Sequence, residues 1–221
     1  MEGVRILHPV ARHPKENMNP GDEHAGRRRL IPVLLASAFL ISQCSLFDTR
    51  DPEQPSQSGS DFIPPTLVSD VVSNLKNAIA QKNIKNYLRS FTDSSVSGKP
   101  FTFTPSSTGS TSYPGVFGDW NLTREESHFR DLVSHKLSAT SYSNLLLSGE
   151  AYNPQGDSTV YTASYIFSFD HNDPGFRNVA RGRLQFTLKR NSSSFWEITD
   201  WTDYQEIDTV ITWSHFKGRF R

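Results

Sequence analysis

A single cysteine, Cys44, stands in 221 residues, so no disulfide can form within the chain and its folded part depends on packing and hydrogen bonding alone. Neither sign of charge is in excess. Twenty-three basic residues balance 23 acidic ones, which speaks against a nucleic-acid partner, because such domains carry a strong basic surplus. No apolar run is long enough to span a bilayer: Leu30 to Ser42 covers thirteen residues, against the roughly 20 that a crossing helix needs. G-x-S-x-G is missing, as are glycine-rich phosphate loops. His128 and His135 lie seven apart, whereas helix-borne metal ligands sit three or four apart with further ligands nearby. Neither a metal nor a cofactor is therefore expected.

What is present begins at Arg27-Arg28-Arg29. This cationic flank precedes the apolar run Leu30–Ser42 and then Cys44, the pattern of an export signal. The residues Leu40-Ile41-Ser42-Gln43-Cys44 resemble the lipobox of bacterial lipoproteins, with Gln43 departing from the usual small residue before the cysteine. That resemblance implies a signal peptide over 1–43, lipidation of Cys44 and attachment to the cell envelope through the lipid. Ser45 after the cysteine implies outer-membrane sorting, since Asp is the usual retention residue there. Plain secretion with a cut elsewhere is the other reading of the same pattern. Residues 1–26 are either a polar n-region or an overextended start. Residues 44–64, dense in Pro, Ser, Gln and Asp, bury too little apolar surface to fold and read as a tether.

One folded domain is expected over 65–221, closed by a docked C-terminal tail. Val68, Val71, Val72, Leu75 and Ile79 recur at helical spacing after Pro65, and Ile84, Tyr87, Leu88 and Phe91 form a second short stripe. Phe101–Thr104 reads as a strand and 105–119 as a loop. Thr123-Arg124-Glu125-Glu126 has the form of a capping box opening a helix to about Lys136, with Leu122, Phe129, Leu132 and Val133 inward. The period then changes from 3.6 to 2. Strands follow over 144–152, 159–170, 179–190 and 195–203, joined by short turns that favour antiparallel neighbours. On the second of these, Tyr161, Ala163, Tyr165, Phe167 and Phe169 share one face.

Helices first and a meander after indicate an α+β fold, three helices from the N-terminal half packed on a curved, mainly antiparallel sheet. The opening helix with Asn83-Ile84-Lys85-Asn86-Tyr87, the capped third helix and the closing Phe195-Trp196-Glu197-Ile198-Thr199-Asp200-Trp201 resemble the NTF2-like superfamily, the cone fold of ketosteroid isomerases and SnoaL-type cyclases. The resemblance implies a pocket inside the cone, where enzymes of that group hold an Asp or His as general base beside an oxyanion partner. It also makes a homodimer through the convex sheet face an expectation. No motif assigns such a base here, so no catalytic residue is named. The pocket candidates are His128 and Asp131 on the third helix, Asp200 (with Asp203) on the last strand, and Tyr161 and Tyr165. The plainer reading makes the tyrosines core aromatics and the acids surface groups. Arg181, Arg183 and Lys189 on one strand face read as a solvated row, and Asp170-His171-Asn172-Asp173 as a hairpin turn rather than a calcium loop.

The functional expectation is a non-enzymatic envelope lipoprotein acting as a binding or assembly module, its partner a small molecule or an envelope protein. The alternative is a ligand carrier, or an isomerase- or dehydratase-like enzyme, using the cone pocket.

Overall fold

The computed structural model describes residues 62–206 and 211–221. The signal segment 1–43, Cys44 and the tether through Asp61 lie outside the described residues. Helices come first: α1 (Val68–Ala80), α2 (Ile84–Leu88) and α3 (Ser94–Ser97). The short strand β1 (Thr102–Thr104), α4 (Ser107–Ser112) and α5 (Leu122–Ser134) follow. Four long strands come next, β2 (Ser143–Gln155), β3 (Ser158–Phe169), β4 (Val179–Arg190) and β5 (Trp196–Tyr204), before α6 (Trp213–Arg219).

The apolar stripe of α1 is the reason for its burial: Val71, Val72, Leu75, Ala78 and Ile79 are each at most 5% exposed. The helix starts after Pro65 rather than on it, because the Asp70 carboxylate accepts the Leu67 amide at 2.8 Å. Asn83 caps α2 by accepting the Asn86 amide at 3.0 Å. The start of α5 differs from the capping-box expectation. Asn121 is the cap, accepting the Arg124 amide at 3.1 Å, and Thr123 lies inside the first turn. Glu125, i−4 from Phe129 and i−7 from Leu132, is buried with them. The stretch read as loop contains α4, capped by Ser106.

The strands form one five-stranded sheet in the order β1-β5-β4-β3-β2. Three pairings are antiparallel and β1 runs parallel to β5. The register lines up Phe103, Trp201, Phe186, Tyr161 and Tyr152 as one row across the sheet. Strict alternation on β3 buries Tyr161, Ala163, Tyr165, Phe167 and Phe169 on the covered face, as period 2 requires. Irregularities between Ser148 and Ala151, where Gly149 has φ 62°, and between Thr187 and Leu188 bend the strands, giving the sheet a concave side. On the other side Arg181 and Arg183 are exposed and Lys189 half-buried. Among the described residues no helix is long and apolar enough to cross a membrane.

Candidate functional site

The interior of the sheet's curve is occupied by α6. Its residues Trp213, Phe216 and Lys217 sit at i, i+3 and i+4, so they share one face, and Phe220 follows at the C-cap. All four are at most 2% exposed. Trp213 stacks on Phe167 with ring centres 4.2 Å apart and meets Trp201 edge-on at 4.7 Å. Phe216 meets Phe167 and Phe176 edge-on, each at 5.0 Å. Two glycine-sized contacts let α6 approach its neighbours. A Cβ on Gly218 would fall 2.3 Å from the Tyr113 ring, and one on Gly109 would fall 2.3 Å from Ser214.

Lys217 carries a charge into this packing. Its ammonium pairs with both oxygens of Glu125, and neither side chain is exposed. It also lies 4.1 Å from the centre of the Trp201 ring and 4.5 Å from that of Phe103. Glu125 accepts further bonds from the Tyr87 hydroxyl at 2.6 Å and Trp120 Nε1 at 2.7 Å. Burial pushes Lys217 down to about 8, with the Glu125 charge opposing it. Burial alone would raise Glu125, but the Lys217 ammonium, His128 and the hydrogen bonds from Lys217 and Tyr87 outweigh it and hold the carboxyl below its ordinary value. The result is an ionised pair at neutral pH with its lone pairs used. Such a site is a structural tie, since a buried ion pair is tolerated only when its remaining groups are satisfied.

The residues expected at a pocket are dispersed. His128 lies beside this tie: its Nδ1 donates to the Phe220 carbonyl at 2.7 Å, which fixes the proton on that nitrogen. Nε2 has no hydrogen-bond partner. Burial and then the Lys217 charge push His128 down to about 4. Tyr165 donates to Asp203 at 2.7 Å and accepts the Trp213 amide at 2.7 Å. Asp203 in turn accepts from the Ser214 amide and hydroxyl at 2.8 and 2.5 Å. This second cluster holds the first turn of α6 to the sheet, and burial raises the Asp203 carboxyl. Tyr161 bonds Glu150 at 2.8 Å, toward the β2–β3 hairpin. Asp131 accepts the Arg221 amide at 3.0 Å on the outer side of α5. Asp200 accepts from Thr102 at 2.7 Å and Thr199 at 2.8 Å. His128, Tyr161 and the Tyr165–Asp203 pair are buried in the interior; Tyr161 stacks on Phe186 as a core aromatic, whereas His128 and the Tyr165–Asp203 pair hold α6 and the residue that follows it.

Glu125 and Lys217 escaped the reading of the sequence, although a signal existed. Glu125 stands on the same stripe as Phe129 and Leu132, and Lys217 on the stripe of Trp213, Phe216 and Phe220. A charge on the apolar face of each of two helices is a pattern that predicts a buried pair.

An open cleft lies elsewhere. It has a volume of about 440 Å³ and lies where the segment before α1, the end of α2, the start of α5 and the β4–β5 turn meet, with Phe62, Leu88, Leu122, Phe195 and Glu197 among its walls. No group of three or more His, Cys, Asp or Glu suited to a metal occurs among the described residues.

No family model and no curated protein matches the chain. Among solved structures it is similar to an NTF2-like superfamily protein from Salmonella enterica, at 12% identity and a TM-score of 0.49, covering 64% of this chain and 90% of that one. An NTF2-like protein from Cytophaga hutchinsonii matches at 11% identity and a TM-score of 0.45, covering 62% and 94% respectively. A Mycobacterium tuberculosis protein of unknown function matches at 12% and 0.43, covering 62% and 68%. The likeness is one of overall shape, and the α+β assignment rests on the strand order and helices of the chain itself.

Proposed function

We propose that this chain is an exported, lipid-anchored envelope protein whose domain is a non-enzymatic binding or assembly module, recognising its partner outside the cone. The observation that carries the second half is α6. A carrier or an isomerase-like enzyme needs the space between sheet and helices, and here Trp213, Phe216, Lys217 and Phe220 take it. The charged and polar groups that reach inward hold this helix instead of facing an opening. The first half is supported by Arg27-Arg28-Arg29, the apolar run and Cys44.

Two measurements test the reading separately. Growth with a labelled fatty acid is expected to label the wild-type protein and not Cys44→Ala; label retained in the variant overturns the anchor. Native mass spectrometry of the protein purified without denaturant is expected to give the bare chain mass or a multiple of it. A stoichiometric small molecule that survives purification and is lost when Trp213→Ala loosens the interior would overturn the outside-binding reading.

A further inference from the structure

We propose that the cleft beside Glu197 binds a small organic ammonium compound, its apolar body against the phenyl rings and its cation at the Glu197 carboxylate. The proposal rests on the reading above that recognition lies outside the cone. A volume of about 440 Å³ is within the range of roughly 300–1,000 Å³ typical of small-ligand sites. Its floor is Phe91, 3% exposed, and its walls include Phe62, Leu122 and Phe195 from three separate segments. These are faces that an apolar or aromatic body would cover.

The charges at the cleft set the sign of the ligand. Asp93, Glu126 and Glu197 line it against one cation, Arg89, whose guanidinium lies 3.6 Å from the centre of the Phe62 ring. An anionic ligand would meet three carboxylates. Two of these are engaged outward: Glu126 pairs with Arg130 at 2.5 Å, and Asp93 caps α3 by accepting the Ser95 amide at 2.8 Å. Glu197 differs. Its carboxylate is half-buried and takes hydrogen bonds from the neutral side chains of Asn191 and Thr92. Asn191 is itself fixed, accepting the Ser193 and Phe195 amides at 3.0 and 3.1 Å, so the carboxylate is held in one orientation. Burial raises its pKa and the nearby Asp93 charge adds to the effect. Glu197 and Asn191 also line a neighbouring hollow of about 120 Å³ together with Lys99, Lys189 and Arg190; Lys189 is the cross-strand partner of Glu197, and Arg190 is engaged with the Trp196 ring and the Ser194 carbonyl. A desolvated carboxylate served by neutral donors gains more from a charge-assisted hydrogen bond than an exposed one does. A primary ammonium supplies that bond.

The test is calorimetric titration of the intact purified protein with three probes of one shape: 2-phenylethylammonium, the neutral 2-phenylethanol and the anionic 3-phenylpropanoate. The ammonium is expected to bind at least about tenfold more tightly than the other two. Glu197→Gln keeps the shape and is expected to remove that preference, leaving the weak binding of the alcohol. Leu122→Trp, which fills the cleft, is expected to abolish binding of all three without loss of the folded circular dichroism spectrum. Equal binding of ammonium and alcohol, no binding of any probe at about 10 mM, or unchanged ammonium affinity in Glu197→Gln would each overturn the proposal. A molecule found inside the cone by mass spectrometry would instead overturn the outside-binding reading, and the titration would still decide the cleft.

Discussion

Glu125 and Glu197 are both carboxylates withdrawn from water, yet they stand in opposite conditions. Glu125 is fully buried and receives an ammonium, a phenol and an indole N–H. Glu197 is half-buried at the wall of an open cleft and receives an amide and a hydroxyl. The first has its charge neutralised by its own chain, and the space around it is filled. The second takes its hydrogen bonds from neutral side chains and lines an open cleft. Depth of burial therefore does not mark the group available for binding; the state of its charge does.

Breaking the pair in the interior is the severest challenge to that comparison. Lys217→Met leaves Glu125 charged, buried and unpaired, a loss of about 3–5 kcal/mol. For a domain of this size that is a fall in Tm of about 10 °C, measurable by circular dichroism. The double variant Lys217→Met with Glu125→Gln removes both charges while the Gln carbonyl still accepts from Tyr87 or Trp120, and most of the loss is expected to return. A single variant that loses under about 1 kcal/mol would show that Glu125 is no better served than Glu197.

His128 sharpens the same contrast through pH. Its folded value of about 4 lies below the ordinary 6.5, so the unfolded chain takes up the proton first as pH falls. The contribution is whole above pH 6.5 and drains away as the pH drops toward 4, a change of about 3 kcal/mol at one unit per 1.36 kcal/mol. Lys217 and Glu125 face the ring together with the Phe220 carbonyl, and Lys217 adds to the penalty on a second positive charge. Urea midpoints of wild type and His128→Gln, compared at about pH 7 and pH 4.5, are expected to converge on the acid side. Asp203, raised by burial, titrates in both proteins and so cancels in the difference. Parallel curves across the window would mean that His128 is not held neutral.

Much of the sheet is legible in the sequence because period 2 leaves little freedom: the alternation from Tyr161 to Phe169 and from Ala180 to Leu188 decides which face is buried. The helix α1 is legible for the same reason at period 3.6. The candidate site was less so. Tyr165 and His128 were visible as residues of useful chemistry, but their partners are distant in sequence: Asp203 lies 38 residues from Tyr165, and Phe220 lies 92 from His128. Local periodicity cannot choose among such partners. The cleft was hidden for a related reason, because its walls come from chain segments that share no local pattern: Phe62, Leu88, Leu122 and Phe195. The capping motif was misplaced by two residues because Asn121 competes with Thr123 for the same role, and the packing of Leu122 and Glu125 decides between them.

The smallest expected effect on stability belongs to Glu197→Gln, and it is the one that separates the two carboxylates most cleanly. Burial raises the folded pKa of Glu197, so its contribution to stability is full below the ordinary carboxylate range and lost as pH rises through the folded value. At neutral pH the ionised group is thus mildly unfavourable to the fold, and solvent reaching its open side reduces that further. Replacing it with Gln keeps an oxygen to accept from Asn191 and removes the charge. The melting temperature is expected to stay level or rise by a degree or two, equivalent to less than about 1 kcal/mol. A group that the fold can lose without harm, while ammonium binding is lost with it, is held at the cleft for its ligand. A large drop on this substitution would place Glu197 beside Glu125 as a structural anion, and the contrast between the two regions would fall.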